Sequence, residues 1–303
     1  MRILVVGAGS TGGYFGGRLV AAGRDVTFLV RAARAAALRR DGLQIVSPYG
    51  DLRIEPQLVT ADALAAPFDV VLLTVKAFAL DAAITDVAPA VGAATMIVPV
   101  LNGMRHIDTL VARFGDAPVL GGIAFISTMI DDAGRIVQLG KPHDIAYGER
   151  AGGQSERIAA LDALLSGAGF NARASTRIVD EMWEKWVTLA SLGGINALMR
   201  GSIGEVVAAG GSAFAEAFVN ECAATATAAG AALGDGFTVK VRAMMTAAGS
   251  PFTSSMYRDL LAGNDVEADQ ILGDLLRLAD AAGVAAPLLD AAYVNLKVYQ
   301  AKR

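Results

Sequence analysis

Lys185 stands in the stretch "EMWEKWVTLASLGGINALM" (Glu181–Met199), flanked by Trp183 and Trp186, with no further basic residue until Arg200. An ammonium in that setting can do one of two things. It can pair with Glu181 at i,i+4 on an exposed helix face, an interaction worth only about 0.2–0.5 kcal/mol. Or it can stabilise negative charge developing on a carbonyl oxygen and then give up a proton. In the first turns of a helix capped near Asp180, the positive helix end and two tryptophans would both lower its pKa. A second constellation lies at the other end of the chain. Gly7, Gly9 and Gly12 form G-x-G-x-x-G inside "GAGSTGG", with Ser10 and Thr11 between them. Gly7 permits a tight turn, Gly9 lets backbone approach a pyrophosphate, and Gly12 allows a helix to pack closely on a strand.

Such a turn works only with a strand before it and a helix after it. "RILVV" (Arg2–Val6) precedes it, a helical stretch runs to Gly23, and "DVTFLV" (Asp25–Val30) follows. That is a parallel βαβ unit and predicts a dinucleotide site. An acidic residue at the end of the second strand would accept from the ribose hydroxyls of NAD. Arg31 stands there instead, with Arg34 close behind. Arginine cannot accept a hydrogen bond but can grip a 2′-phosphate, so NADP(H) is favoured over a merely solvated arginine.

"FDVVLLTV" (Phe68–Val75), "TMIVPVL" (Thr95–Leu101) and "VLGGIAFIS" (Val119–Ser127) are apolar runs of the kind buried on both faces of a parallel sheet. "LQIVSPYGDLRIE" has a Pro-Tyr-Gly-Asp turn between extended runs and predicts an inserted hairpin. After about residue 178 the strand pattern stops and alanine- and leucine-rich helices follow. The expected architecture is an α/β Rossmann-type domain with a parallel sheet over residues 1–177, then an all-α domain over 178–303. Lys76 and Asn102 each follow a predicted strand, where ligands of open α/β sheets bind. Asn264-x-x-Glu267 has the spacing of a helix cap with a reciprocal glutamate, and Ser254 and Ser255 open another helical stretch.

Bulk properties narrow the function further. A hydrophobic fraction of 54%, a charged fraction of 18% and a net charge of −4 describe a globular chain. That charge gives no general attraction to nucleic acid or anionic membranes. One cysteine (Cys222) and two distant histidines (His106, His143) make a disulfide or metal centre an unpromising reading. With the first strand opening at Arg2 and no long apolar run, a cytoplasmic protein is expected.

The chain resembles the ketopantoate reductase (2-dehydropantoate 2-reductase) family over essentially its whole length. The matching pieces are "GAGSTGG", "LVR" followed by "DGL", "TVKAF" around Lys76 and "LNGM" around Asn102. In the second half they are "WEKW" around Lys185 and "SSMYRDLLAGNDVEADQILG". The resemblance implies NADPH-dependent reduction of ketopantoate, a step toward pantothenate and coenzyme A. It implies a helical domain like the C-terminal domain of 6-phosphogluconate dehydrogenase, closing over the cofactor domain. It implies Lys185 as the catalytic lysine and Glu267 as the active-site glutamate. Asn102 would place substrate beside the cofactor, Ser255 would bind substrate, Lys76 would lie near the nicotinamide, and Arg31 on the 2′-phosphate. Gly7, Gly9, Ser10, Thr11 and Gly12 would hold the pyrophosphate. The partner implied is a small 2-oxo acid, with a homodimer left open as the assembly. Two positions depart from the family, which often has asparagines four and eight residues after the lysine. Here they are Leu189 and Gly193, which predicts a more apolar, partly roomier wall and broader specificity. The alternatives are a reductase of the same architecture acting on another 2-oxo acid, and a non-catalytic NADP(H) sensor.

Overall fold

The computed structural model describes all residues, 1–303. The chain divides into two compact units, one of residues 1–101 and 106–179, the other of 102–105 and 180–303. The first unit runs β1 (Arg2–Val6), α1 (Ser10–Ala21), β2 (Asp25–Leu29), α2 (Ala32–Asp41), β3 (Leu43–Val46), β4 (Leu52–Ile54), β5 (Gln57–Val59), β6 (Val70–Leu73), α3 (Leu80–Val87), β7 (Met96–Pro99), α4 (Arg105–Phe114), β8 (Gly121–Ile130), β9 (Ile136–Gly148), α5 (Glu156–Leu165) and β10 (Asn171–Ala174). A five-stranded sheet of order β5-β2-β1-β6-β7 is parallel throughout. β6 and β7 are buried at every residue, the pattern of strands covered on both faces. Both the Rossmann-type sheet and the helical second unit agree with the sequence reading.

A second, mixed sheet has the order β10-β9-β3-β4, with β8 on β9. The hairpin read from "LQIVSPYGDLRIE" is the antiparallel pair β3–β4. The run Val119–Ser127 behaves differently from expectation. It is not a core strand of the parallel sheet; Val119 makes only an isolated bridge to Ile97. The rest forms β8, antiparallel to β9, buried at Gly121–Ala124 and partly exposed beyond. A short apolar run does not by itself distinguish a doubly covered strand from a half-covered one. Its partner β9 was hidden in sequence by Gly140 and Pro142, which fall where the β8–β9 register shifts.

The second unit contains α6 (Ile178–Met199), α7 (Ile203–Ala208), α8 (Ser212–Ala228), α9 (Phe237–Met245), α10 (Ser255–Leu261), a π turn (Asp269–Gly273), α11 (Asp274–Ala282) and α12 (Pro287–Ala301). Glycines in α6 set its packing. A Cβ at Gly194 would meet the Phe218 ring of α8 at 2.1 Å, so only glycine allows that approach. Caps sharpen the helix ends: Ser202 and Glu205 form a reciprocal box on α7, and the Glu221 carboxylate accepts from the Leu288 and Leu289 amides opening α12. No helix is long and apolar enough to cross a membrane.

The units divide between Val179 and Asp180 rather than after 177, with one addition. Asn102–Arg105, expected to belong with the sheet, packs with the helical unit. Met104 lies against its core, Gly103 approaches the π turn, and Arg105 lies 3.9 Å from the buried carboxylate of Asp274.

Candidate active site

In the α/β unit the glycine turn leaves β1 with Gly7 at φ +96°, a conformation that L side chains rarely adopt. A Cβ at Gly12 would lie 2.2 Å from both the Gly7 carbonyl and the Thr74 hydroxyl, so α1 can sit against the sheet only with glycine there. Thr74, just beyond β6, donates to the carbonyls of Val6 (2.9 Å) and Gly7 (3.2 Å) and fixes the turn from the side. Nothing lies within 4 Å of where a Gly9 Cβ would be. The first turn of α1, which opens with Ser10 and Thr11, carries neither a side-chain cap nor an acidic residue. Its amides are therefore available to an anion that approaches across Gly9, which fits the pyrophosphate of a dinucleotide.

Arg31 is exposed at the N-cap of α2, directly after β2, where no carboxylate stands to accept from a ribose. Arg34, one turn on, donates from Nε to the Ala8 carbonyl within the glycine turn (3.2 Å). That bond holds the start of α2 beside the turn, and half-burial lowers the Arg34 pKa. Lys76 is exposed after β6, its ammonium 6.0 Å from the centre of the exposed Phe78 ring.

In the helical unit Lys185 is only 7% exposed, so the surface-pair reading fails. Burial pushes its pKa from 10.5 down to about 8, while the charge of Glu267 acts in the opposite direction. The helix terminus has little part in this. α6 begins at Ile178, which puts Lys185 in its third turn, and the field of a helix end fades within the first. Glu267 is itself buried, at 8% exposure, and the Asn102 amide donates to its Oε2 at 3.4 Å. Buried Lys185 and Glu267 and part-buried Asn102 thus form one group, made of α6, the residue before the last-but-one helical segment, and the 102–105 loop.

Glu267 reaches that place differently from the capping expectation. Asn264 opens no helix; its carbonyl accepts from the Tyr299 hydroxyl and its amide donates to Asp259. Helical structure begins after Glu267 and passes at once into the π turn, where the Ile271 carbonyl accepts from the indole N–H of Trp186 at 2.9 Å. Ser255 is exposed at the first position of α10, and the capping work falls to its neighbour. Ser254 accepts from the Tyr257 amide, while its own amide donates to the buried Asn196.

At Gly193 no extra room opens. A Cβ there would lie 2.6 Å from the Met256 methyl, so Met256 already fills that space and seals it. Leu189 stays half-exposed. Three positions eluded sequence reasoning: Thr74, Asn196 and the hydrogen-bonding role of Trp186. Only Thr74 left a sign, a hydroxyl placed at the end of an otherwise apolar strand run.

Residues 3–152 match the family Ketopantoate reductase PanE/ApbA, and residues 177–300 match Ketopantoate reductase PanE/ApbA C terminal. The chain belongs to the ketopantoate reductase family. It is an oxidoreductase. Among relatives of this ketopantoate reductase family member, the "uncharacterized oxidoreductase YkpB" of Bacillus subtilis (strain 168) is 36% identical over 304 residues, covering 100% of both chains. The 2-dehydropantoate 2-reductase from Methylococcus capsulatus superposes with a TM-score of 0.87 at 28% identity, covering 100% of this chain and 97% of that one. A D-mandelate dehydrogenase solved with NADH and anilino(oxo)acetate shares the fold, with a TM-score of 0.88 at 22% identity, covering 100% and 99%.

Proposed function

We propose that this family member is an NADPH-dependent reductase of 2-oxo acids, with ketopantoate as substrate and pantoate as product, a step of pantothenate synthesis. One observation carries the reading: a lysine buried against a buried glutamate, with an asparagine amide on that glutamate. A structural role offers little reason to keep a desolvated ammonium, whereas reduction of a ketone requires a proton donor.

Gly7, Gly9, Ser10, Thr11 and Gly12 would hold the dinucleotide pyrophosphate, Arg31 the 2′-phosphate, and Lys76 the nicotinamide side. The nicotinamide, when bound, supplies a hydride. Lys185 does the complementary work: its ammonium stabilises the oxygen that gains negative charge, then donates one proton from Nζ to make the hydroxyl. With a pKa of about 8 it is mostly protonated at neutral pH, yet it releases that proton far more readily than a solvated lysine. Glu267 keeps it charged between turnovers, and solvent returns the proton. Asn102 holds the carboxylate of Glu267 and stands ready to orient substrate, and Ser255 would bind substrate.

A second reading has its own observation. Leu189 and the Met256-sealed Gly193 present no amide along the α6 face that carries Lys185, which favours a 2-oxo acid with an apolar side chain. The protein should be assayed for loss of NADPH and NADH absorbance across a panel of 2-oxo acids. The panel should include ketopantoate, its deoxy analogue and phenylglyoxylate. Fastest turnover with NADPH and ketopantoate supports the first reading and preference for an apolar acid the second. Turnover of none refutes both.

A further inference from the structure

Trp186 follows Lys185 directly, and its indole N–H donates to the Ile271 carbonyl at 2.9 Å in a fully buried setting. That carbonyl belongs to the π turn Asp269–Gly273, where the ordinary helical ladder is interrupted. Glu267 lies immediately before this turn, and the Ile271 amide donates back to the Glu267 carbonyl at 3.0 Å. Gly103 lies beside the same contact: a Cβ there would meet the Gln270 carbonyl at 2.9 Å and the Trp186 ring at 3.9 Å. The neighbour of Gly103, Asn102, donates to the Glu267 carboxylate. The π turn is therefore contacted by both α6 and the 102–105 loop, and each contact is adjacent in sequence to Lys185 or Asn102.

We propose that Trp186 is a positioning residue: its N–H holds the π turn in register with α6, so that the Glu267 carboxylate faces Lys185. The Lys–Glu arrangement then depends on one indole hydrogen bond rather than on packing alone. A phenylalanine would keep an aromatic ring beside Trp183, whose ring centre lies 5.1 Å away, yet would remove the indole N–H from the Ile271 carbonyl in a buried place. Charge on Lys185 reports the consequence. Glu267 is the charged group acting on it from the packed elements, and it favours the protonated form. If the π turn slips and Glu267 withdraws, burial remains and the titration of Lys185 must move down.

The proposal gives mechanistic weight to the reading of Lys185 as proton donor, but its test needs no turnover. The protein has six lysines, so the Cε resonance of Lys185 in protein labelled with carbon-13 lysine can be assigned by its loss in Lys185→Met and followed with pH. Trp186→Phe should lower the Lys185 titration by roughly 0.5–1 pH unit, a three- to tenfold loss in the ratio of protonated to neutral amine. Glu267→Gln should lower it at least as far, and adding Trp186→Phe to Glu267→Gln should change it little more. If Trp186→Phe fails to fold, 3-benzothienylalanine at position 186 keeps the bicyclic shape and removes only the N–H. An unchanged titration in the N–H-deficient protein overturns the proposal, as does a shift that adds fully to that of Glu267→Gln. Should Lys185→Met retain turnover while these shifts appear, the donor reading fails and the positioning role stands.

Discussion

Replacing Lys185 with methionine should cost activity and improve stability, in a manner that depends on pH. The methionine keeps an unbranched apolar stem of similar volume and removes the charge, so no large cavity opens. In the folded protein the lysine pKa falls from 10.5 to about 8. That difference corresponds to on the order of 3 kcal/mol favouring the neutral amine over the ammonium at this site. Below pH 8 both folded and unfolded chains carry the proton, and the folded state bears the full cost. Between about 8 and 10.5 the folded chain has lost the proton and the unfolded chain still binds it, so wild-type stability rises with pH. Above 10.5 nothing further changes. Lys185→Met lacks this dependence and should be more stable than wild type at pH 7. The gain is at most on the order of 3 kcal/mol, a figure that already includes the opposing attraction of Glu267. Denaturant unfolding of both proteins from pH 6.5 to about 10.5 measures the difference, which should shrink as pH rises. Parallel pH profiles would refute the argument, since they would mean that Lys185 keeps an ordinary pKa.

Other substitutions test the remaining parts. Arg31→Ala should weaken NADPH binding by roughly ten- to a hundredfold, the worth of a charge-assisted bond of about 1.5–3 kcal/mol, and leave NADH nearly unchanged by calorimetry; equal losses would remove Arg31 from the 2′-phosphate. Gly9→Ala should leave the melting temperature alone, since its Cβ meets nothing, yet weaken dinucleotide binding. Gly12→Ala should destabilise the α/β unit by about 3 kcal/mol or more, because the new carbon strikes the Gly7 carbonyl. Leu189→Asn should shift kcat/KM toward ketopantoate relative to its deoxy analogue, as a hydrogen-bonding wall discriminates where an apolar one does not. The idea falls if wild type already separates the two by several thousandfold.

How legible the site was depended on whether its parts were local. Gly7, Gly9 and Gly12 were readable because their spacing, with a strand before and a helix after, is itself the mechanism. The placement of Arg31 just past β2 was readable because the strand ends where its apolar run ends. Lys185 stood out through the family resemblance, whereas its burial could not be read locally. Burial by α6 packing, not the helix end, sets its pKa, and that needs segments dozens of residues apart to meet. The π turn left no sequence sign, so Glu267 looked like the partner of an Asn264 cap that does not form. Likewise Gly193 suggested space, until Met256, distant in sequence, proved to fill it. The β8–β9 pair was misplaced for the same reason: apolar runs tell burial, not which sheet does the burying.

The central claim, that Lys185 delivers the proton, is tested most directly by the pH dependence of kcat/KM for NADPH-linked reduction in wild type and Lys185→Met. The wild-type rate should be level at neutral pH and fall through an apparent pKa of about 8 as the ammonium is lost. The variant should be slower by roughly 10²–10⁴-fold with that limb absent. Wild-type turnover that holds level to pH 10, or a variant that keeps the wild-type rate, would contradict it.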